Sequence, residues 1–361
     1  MPPLFFYLMT LATFGVIYGI LVIGLNIHWG YAGILDFMYI AFVAVGGYVT
    51  ALLGLPPAQP AVGETYVLGL SWSFFPALLG GGLAAVVLAL VMGLLSLRRL
   101  RADYFSVVTV AASLILWTIA GNAKSLVNGW DGIAGVPQPF ADALNLDLNS
   151  YGPFYLGLCS VFLLVVYLFA ERLLHSPFGR ALRSVREDEL VAQGLGKNVF
   201  TLRLRSFMIG AFIAGIGGGL LVTYVDAFNP SAWTSSETFI IWAALLLGGS
   251  ANNRGAMLGA LLVPVLFAEA TRFLPNFYSP QFVNASRYIV IGILLILTVR
   301  FRPQGLLAER KFRIPQRQLL APSDVTGHTA IQAADLVEPD VTALPRTEPK
   351  ASDGEEAHHG R

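Results

Sequence analysis

Long apolar stretches recur along this chain, and each approaches the length that crosses a lipid bilayer as a helix. The hydrocarbon core of a bilayer takes about 20 apolar residues in helical form. Charged residues make up 12% of the chain, against about a quarter in soluble domains. The sequence therefore predicts an all-α integral membrane protein, a polytopic helical bundle of about nine (8–10) transmembrane helices. The candidate spans are roughly 4–25, 31–54, 74–97, 103–121, 153–171, 204–225, 236–250, 255–274 and 286–301.

Two of these candidate spans are short. The segment 236–250 has fifteen residues, and only twelve lie between Arg287 and Arg300. We expect either that both segments cross the bilayer while the arginines reach back to its surface, or that one of them is a half-helix.

Basic residues are distributed unevenly, which indicates how the chain is oriented. No Lys or Arg precedes Arg98, whereas the loop 172–205 holds seven and several more follow the last candidate span. Cytoplasmic loops of membrane proteins are enriched in Lys and Arg. The distribution predicts that the large loop and the C-terminus are cytoplasmic and that the N-terminus lies outside.

The C-terminal part differs in composition from the rest of the chain. We predict a transmembrane domain over 1–308, whose large cytoplasmic loop covers about 173–203, followed by a second region over 309–361. That region begins with a basic juxtamembrane segment and continues as an acidic, proline-rich tail. Too little of the tail is apolar to offset chain entropy, so it is predicted to be disordered.

Motifs for nucleotide binding and catalysis are missing from the sequence. Gly194-Leu-Gly-Lys-Asn198 lacks both the spacing and the hydroxyl of a phosphate-binding loop. The histidines do not cluster, and the single cysteine, Cys159, lies in an apolar run, so no metal site is predicted. The net charge of +1 gives no indication of nucleic acid binding. We expect no catalytic residue, no metal and no cofactor on this chain, which leaves transport or scaffolding.

Small residues form stripes on several spans and let helix backbones approach closely. Packing within one subunit is the favoured interpretation, and a dimer face is the alternative. The pairs that fit the G-x-x-x-G pattern are Gly15/Gly19, Gly215/Gly219 and Gly255/Gly259.

Polar residues occur at membrane depth around the second candidate span. A charge inside a span is expensive and usually functional. Asp36 lies in this span, where Gly30 and Gly33 could break the helix and expose backbone groups beside a transport path. Equally open is a short turn near the membrane surface in which Asp36 caps a helix. The candidate residues of a substrate pathway are Asn26, His28, Asp36 and Tyr39.

The loop after the fifth candidate span is polar and organised. Proline and glycine residues at its two ends predict a short helix from Gly179 to about Leu190, ended by Gly194 and Gly196. The apolar side of this helix consists of Ala181, Leu182 and Val185. Such a helix either lies along the membrane or inserts into a groove on a partner protein. The candidate contact residues of the loop are Pro177, Gly179, Arg180, Arg183, Arg186, Glu187, Glu189 and Gly196.

The same loop carries a resemblance to a known family. It closely resembles the coupling loop of permeases in the branched-chain amino acid class of ABC importers, through Ser176-Pro-Phe-Gly-Arg-Ala-Leu-Arg-Ser-Val-Arg-Glu-Asp-Glu189 and Gly194-Leu-Gly-Lys-Asn198. The resemblance covers roughly residues 10–308. Further motifs that are similar to the family's, in the same order, are Leu25-Asn26 with Trp29–Gly33, Leu97–Arg101, Gly129–Pro137, Leu247–Ser250 and Phe301–Leu306.

The resemblance implies a permease subunit of an ATP-driven importer in the cytoplasmic (inner) membrane. Such a subunit would move branched-chain or related hydrophobic amino acids by alternating access. Its partners would be a second related permease, an extracytoplasmic solute-binding protein and two ABC ATPase subunits. The ATPase subunits would hydrolyse ATP on separate chains and bind the candidate contact residues of the loop.

One departure from the family affects the expected substrate. The family's second span usually carries Ser or Asn followed by Gly-His or Ala-His, whereas this chain has Leu35-Asp36-Phe-Met-Tyr39. A carboxylate at this place could alter substrate choice, so urea, short amides and aromatic acids stay open beside hydrophobic amino acids.

Two functions of other classes are also compatible with the composition. An ion-coupled secondary transporter would use Asp36 and Glu269, although Arg272 lies one turn after Glu269 and favours structural neutralisation. A membrane scaffold without transport activity would recruit partners through its tail.

Overall fold

The protein is mostly helical in the computed structural model, which describes residues 3–59, 65–141, 144–267, 289–290, 292–293, 295–298, 300–302 and 304–309. The predictions for Glu269, Arg272 and the tail beyond 309 lie outside these residues. The ninth candidate span, 286–301, is helical at its described positions.

Five helices of the described residues are long and apolar enough to cross a membrane. They confirm the predicted spans at 4–25, 74–97, 103–121, 153–171 and 204–225. These helices are α1 (Pro3–Asn26, continued as a π-helix over Ile27–Tyr31), α3 (Phe74–Met92, continued as a π-helix over Gly93–Leu97), α4 (Ala102–Asn122), α6 (Leu148–His175) and α9 (Val199–Val225).

The predicted second span, 31–54, is wrong in its first part. Residues 32–38 are not helical, and α2 covers only Tyr39–Gly54. Sixteen residues make a helix about 24 Å long, which is shorter than the roughly 30 Å of a hydrocarbon core. Nearly every side chain of α2 is buried against neighbouring helices. The helix therefore begins inside the bundle.

The helices after α9 are short. α10 covers Ser235–Gly248, and its fourteen residues span about 21 Å, so the predicted shortness of 236–250 is confirmed. α11 covers Asn253–Leu261 and continues as a π-helix over Leu262–Phe267. The remaining short elements are α5 (Lys124–Val127), α7 (Pro177–Glu187), α8 (Glu189–Gly194), two 3₁₀-helices (Gly129–Asp131 and Pro230–Trp233), and the antiparallel strands β1 (Ile133–Ala134) and β2 (Ala227–Phe228).

The centre of the bundle is a close contact of α2, α3 and α9 through glycines. A Cβ atom on Gly46 would collide with the backbone of Gly215, and one on Gly218 would collide with the carbonyl oxygen of Val43. Gly215 and Gly219 both face helices of the same chain, and Gly255 and Gly259 pack on α10. The prediction that these stripes pack within one subunit is confirmed for both pairs.

Replacing Gly218 by alanine should destabilise the protein by at least about 2 kcal/mol, because the added methyl group forces α2 and α9 apart. Gly157→Ala is the matched control, since Gly157 lies within α6 and a Cβ there meets no atom within 4 Å. The control should be neutral or stabilising by about 0.5–1 kcal/mol. Thermal unfolding of both variants in mild detergent checks this, and equal midpoints would contradict the packing of α2 on α9.

Loops and helix ends contact one another at the two ends of the bundle. Each end brings together segments that the sequence predicts to lie on the same side of the membrane. At the loop end, which we define by Gly30, Arg186 and Gly249, the loop after α6 meets the end of α1 and the residues that follow the last span. At the opposite end, β1 pairs with β2, and the Trp117 indole donates to the Pro230 carbonyl at 2.8 Å. Segments predicted to share a side of the membrane therefore touch one another.

Candidate functional site

The connection between α1 and α2 is a helix break inside the protein. The π-helix over Ile27–Tyr31 ends in a turn at Gly33, whose φ of +66° lies in the left-handed region that favours glycine. The Gly33 N–H donates to the Trp29 carbonyl at 3.0 Å, and the next N–H donates to the His28 carbonyl at 2.8 Å. The predicted break is confirmed and falls at Gly33, whereas Gly30 still belongs to the π-helix.

A fully buried pair, His28 and Asp36, occupies this break. The two side chains meet at 3.0 Å between His28 Nδ1 and Asp36 Oδ2, and His28 Nε2 lies 2.9 Å from the carbonyl oxygen of Phe207. Both ring nitrogens thus face acceptors. Either the imidazole is doubly protonated beside a carboxylate, or Asp36 is protonated and a neutral His28 donates through Nε2. The pair is neutral overall in both states, which reduces the cost of burying it.

The surroundings of the pair close it off from solvent. The Trp242 indole donates to the Asp36 carbonyl at 2.8 Å, and the Tyr39 hydroxyl donates to the Leu21 carbonyl at 2.7 Å. The rings nearest to the His28 imidazole, with centroids between 4.9 and 6.3 Å away, belong to Tyr39, Phe42 and Phe207.

Asp36 lies in the turn that precedes α2, where the sequence left a capping role and a place on a transport path open. Asp36 Oδ1 accepts from the Met38 N–H at 2.9 Å and so shapes the turn immediately before α2, but the N-cap residue of α2 is Met38 and not Asp36. Asp36 itself is fully buried, while Gly33, Leu35 and Phe37 are partly buried. Burial among the protein's own residues does not fix depth in the bilayer, so the place of the turn near the membrane surface stays a prediction. The role of Asn26, His28, Asp36 and Tyr39 in a substrate pathway stays a prediction.

A second buried cluster joins the end of α1 to the turn between α10 and α11. Asn26 Nδ2 donates to Asn253 Oδ1 at 3.0 Å, and the Ala251 N–H donates to Asn26 Oδ1 at 2.8 Å. The Tyr31 hydroxyl donates to Asn253 Oδ1 at 2.6 Å. Sequence reasoning missed Tyr31 and Asn253, because an Asn at a helix start reads as a cap and a Tyr near a span end reads as a membrane anchor.

The predicted loop helix is two helices. α7 begins after Ser176, whose hydroxyl accepts from the Gly179 N–H, and it ends at Glu187. Asp188 is extended, with φ −151° and ψ 112°, and its carboxylate accepts from the Val191 N–H at 3.0 Å to start α8. A single helix from Gly179 to Leu190 is therefore wrong, because Asp188 favours a capping position over a helix interior.

The apolar side of α7 faces the protein itself. Leu182 and Val185 are fully buried, so this side neither lies on a membrane nor enters a partner's groove. Exposed apolar side chains are found instead on and just after α8. Leu190, Val191 and Leu195 are 78%, 58% and 71% exposed.

The predicted contact residues of the loop divide into outward and inward groups. Pro177 lies at the first turn of α7, and a Cβ on Gly179 would collide with the carbonyls of α6, so glycine permits the tight α6–α7 turn. Gly196 has a φ of +74° and ends the loop. The outward side chains are Arg180 and Glu187, and the inward or half-buried ones are Arg183, Arg186 and Glu189.

The opposite end of the bundle holds a cavity of about 320 Å³. Aromatic and aliphatic side chains dominate its lining, with a few polar groups among them. The lining includes Trp72, Phe75, Val136, Phe140, Thr50 and Gln138. Next to it, burial raises the pKa of the Asp226 carboxyl, which a hydrogen bond from the Val136 N–H partly offsets.

Comparison with known proteins assigns the family. The model of a family described as branched-chain amino acid transport system / permease component matches residues 7–299. The chain belongs to this permease family. It is a multi-pass membrane permease subunit of the ABC importer class and is not itself an enzyme, as the resemblance predicted. The secondary-transporter alternative is not favoured.

Individual relatives of this permease include proteins named LivM and proteins named LivH. The high-affinity branched-chain amino acid transport system permease protein LivM of Salmonella typhimurium is 30% identical over 82% of this chain and 69% of the relative. The probable LivM permease of Methanocaldococcus jannaschii is 28% identical over 85% and 94%. The LivH permease protein of Escherichia coli is 24% identical over 82% and 92%. No solved structure matches.

Proposed function

We propose that this permease is one half of the channel of an ATP-driven importer that moves branched-chain or related hydrophobic amino acids across the cytoplasmic membrane. Its relatives LivM and LivH are named as permeases of branched-chain amino acid transport. Similarity to both supports pairing with a second, related permease. A solute-binding protein would deliver substrate at the opposite end, where the apolar cavity lies.

The tip of the loop carries the proposal that ATPase subunits drive this permease. α7 is fixed to the protein by its buried side, while α8 presents Leu190 and Val191 outward, with Leu195 just after it. An exposed apolar cluster rimmed by charges suits insertion into a groove on a partner. Exposed charged residues close to the cluster in sequence are Glu187, Asp188 and Lys197. We therefore assign the loop end to the cytoplasm, where ATP is available, and place ATP hydrolysis on separate chains.

The complex itself provides the test. The protein is purified from native membranes in mild detergent, and all proteins that accompany it are identified. We expect two ATPase subunits and one related permease in stoichiometric amounts. Recovery of this chain alone, with cross-linking at Arg183 also negative, would contradict the proposal.

The choice of substrate is tested on the same complex with its binding protein. We expect leucine, isoleucine or valine to stimulate ATP hydrolysis at micromolar concentration. If urea, a short amide or an aromatic acid stimulates ATP hydrolysis and these amino acids do not, the proposed ATP-driven import stands but the proposed substrate is wrong.

A further inference from the structure

Arg186, near the end of α7, binds two other parts of the chain at once. Its Nη1 donates to the carbonyl oxygen of Gly30 in the π-helix that ends α1. Its Nη2 lies 3.0 and 2.8 Å from the two carboxylate oxygens of Glu309. The Arg186 and Glu309 side chains are 23% and 34% exposed, so solvent only partly screens the pair.

The contact with Gly30 reaches the two buried clusters directly. Gly30 lies between His28 and Tyr31, which belong to the His28–Asp36 pair and to the asparagine cluster. The stem of Arg186 also packs on Gly33, where a Cβ would meet its Cγ at 3.1 Å. A shift of α7 therefore acts on the backbone at the end of the π-helix and at the break itself.

Glu309 is held on the other side of Arg186 by backbone hydrogen bonds. The N–H groups of Leu306 and Leu307 donate to the carbonyls of Leu247 and Gly248 at 2.8 and 3.0 Å. Glu309 follows two residues later, so the end of α10 fixes its position. The turn after α10 in turn donates to Asn26 through the Ala251 N–H at 2.8 Å. These contacts form a closed ring that runs from α7 through α1 and α10 and back to α7.

A planar guanidinium suits the place of Arg186 better than an ammonium. The carbonyl accepts from Nη1 and the carboxylate accepts from Nη2, so the fixed in-plane donors of one group serve both at the same time. Lysine would carry the charge but could not hold the same set of bonds in fixed directions.

We propose that Arg186 and Glu309 form a coupling strut, a fixed connection that passes movement of the ATPase-facing loop to the break between α1 and α2. The inference rests on the proposed ATP-driven import. Arg186 is thus a positioning residue that faces inward, distinct from the exposed loop tip that would contact the ATPase. Removing the strut leaves the ATPase bound and active but separates its cycle from the movement of α1.

The strut is tested in the intact importer complex reconstituted in proteoliposomes. In Arg186→Gln, ATPase subunits should still co-purify, and the amount of leucine transported per ATP hydrolysed should fall about tenfold, within the usual range of coupling between linked sites. In Arg186→Lys this ratio of transport to ATP hydrolysis should fall less. In Glu309→Gln it should fall about threefold, because the contact between Arg186 and Gly30 stays. The matched control is Arg99→Gln, an exposed arginine on the same side, which should keep the wild-type ratio.

A double variant separates the strut from two independent effects. Because both residues act through one connection, Arg186→Gln combined with Glu309→Gln should be no worse than Arg186→Gln alone. A wild-type ratio of transport to ATP hydrolysis in Arg186→Gln would overturn the strut. If Arg186→Gln does not accumulate in the membrane, a wild-type ratio in Glu309→Gln would overturn the strut instead. Absence of ATPase from the wild-type complex would instead refute the proposed function.

Discussion

Replacing Asp36 by alanine should lower the free energy of unfolding by about 3–5 kcal/mol, the usual effect of removing one partner from a buried ion pair. His28 would lose the acceptor of its Nδ1, and the Met38 N–H before α2 would lose its only described side-chain partner. Aromatic rings surround His28, and both His28 and Met38 are fully buried, so water cannot replace the lost carboxylate without a large rearrangement. Denaturant unfolding in mild detergent measures the change.

Two further variants at this pair make the measurement specific. Asp36→Asn keeps an acceptor for Met38 and the shape of the side chain, so it should lose only about 1–2 kcal/mol. The double variant His28→Leu/Asp36→Leu should recover part of the loss seen in Asp36→Ala, because it leaves no buried charge without a partner, although the Met38 N–H still loses the Asp36 carboxylate. Equal stability of Asp36→Ala and the wild-type protein would show that the pair does not hold the helix break.

Replacing both Leu190 and Leu195 by aspartate should abolish co-purification of the ATPase subunits. Each apolar anchor in a partner's groove contributes about 2 kcal/mol or more, and a buried carboxylate without a counter-charge adds a further penalty. The protein itself should stay folded within about 0.5 kcal/mol, because both side chains are exposed. The recovered ATPase per permease, measured after detergent purification, gives the result.

Two controls distinguish loss of docking from loss of folding. Leu144→Asp changes an exposed leucine in the segment before α6 at the opposite end and should leave the ATPase bound. Leu182→Asp places a carboxylate on the buried side of α7 and should unfold the loop, so both docking and stability fall. Stoichiometric ATPase with the Leu190/Leu195 double variant would remove the loop tip from the interface.

Apolar length was sufficient to predict most of the long helices. In a bilayer each backbone group must be bonded within its own segment, so an apolar run of sufficient length has few alternatives to a helix. The second span shows where this reasoning fails. The apolar count from 31 to 54 does not register that Asp36 pairs with His28, eight residues earlier, and that the two stabilise a buried turn together.

The loop shows which parts of the site could be predicted from the sequence and which required the three-dimensional structure. The start of α8 was readable locally, since Asp188 is a favoured capping residue, but the predicted helix ran across it. The amphipathic pattern of α7 identified an apolar side correctly, yet only the fold reveals that the protein's own helices cover it. The partners of Arg186 could not be predicted, because Gly30 and Glu309 lie 156 and 123 residues away in sequence.

Leucine uptake by the purified complex in proteoliposomes, with ATP on the side of the loop end, tests the central claim most directly. The proposed function predicts uptake that requires ATP and the binding protein and that persists when proton and sodium gradients are collapsed. Uptake that continues without ATP and stops when either gradient is collapsed would contradict it, and would make the buried Asp36 an ion-coupling residue.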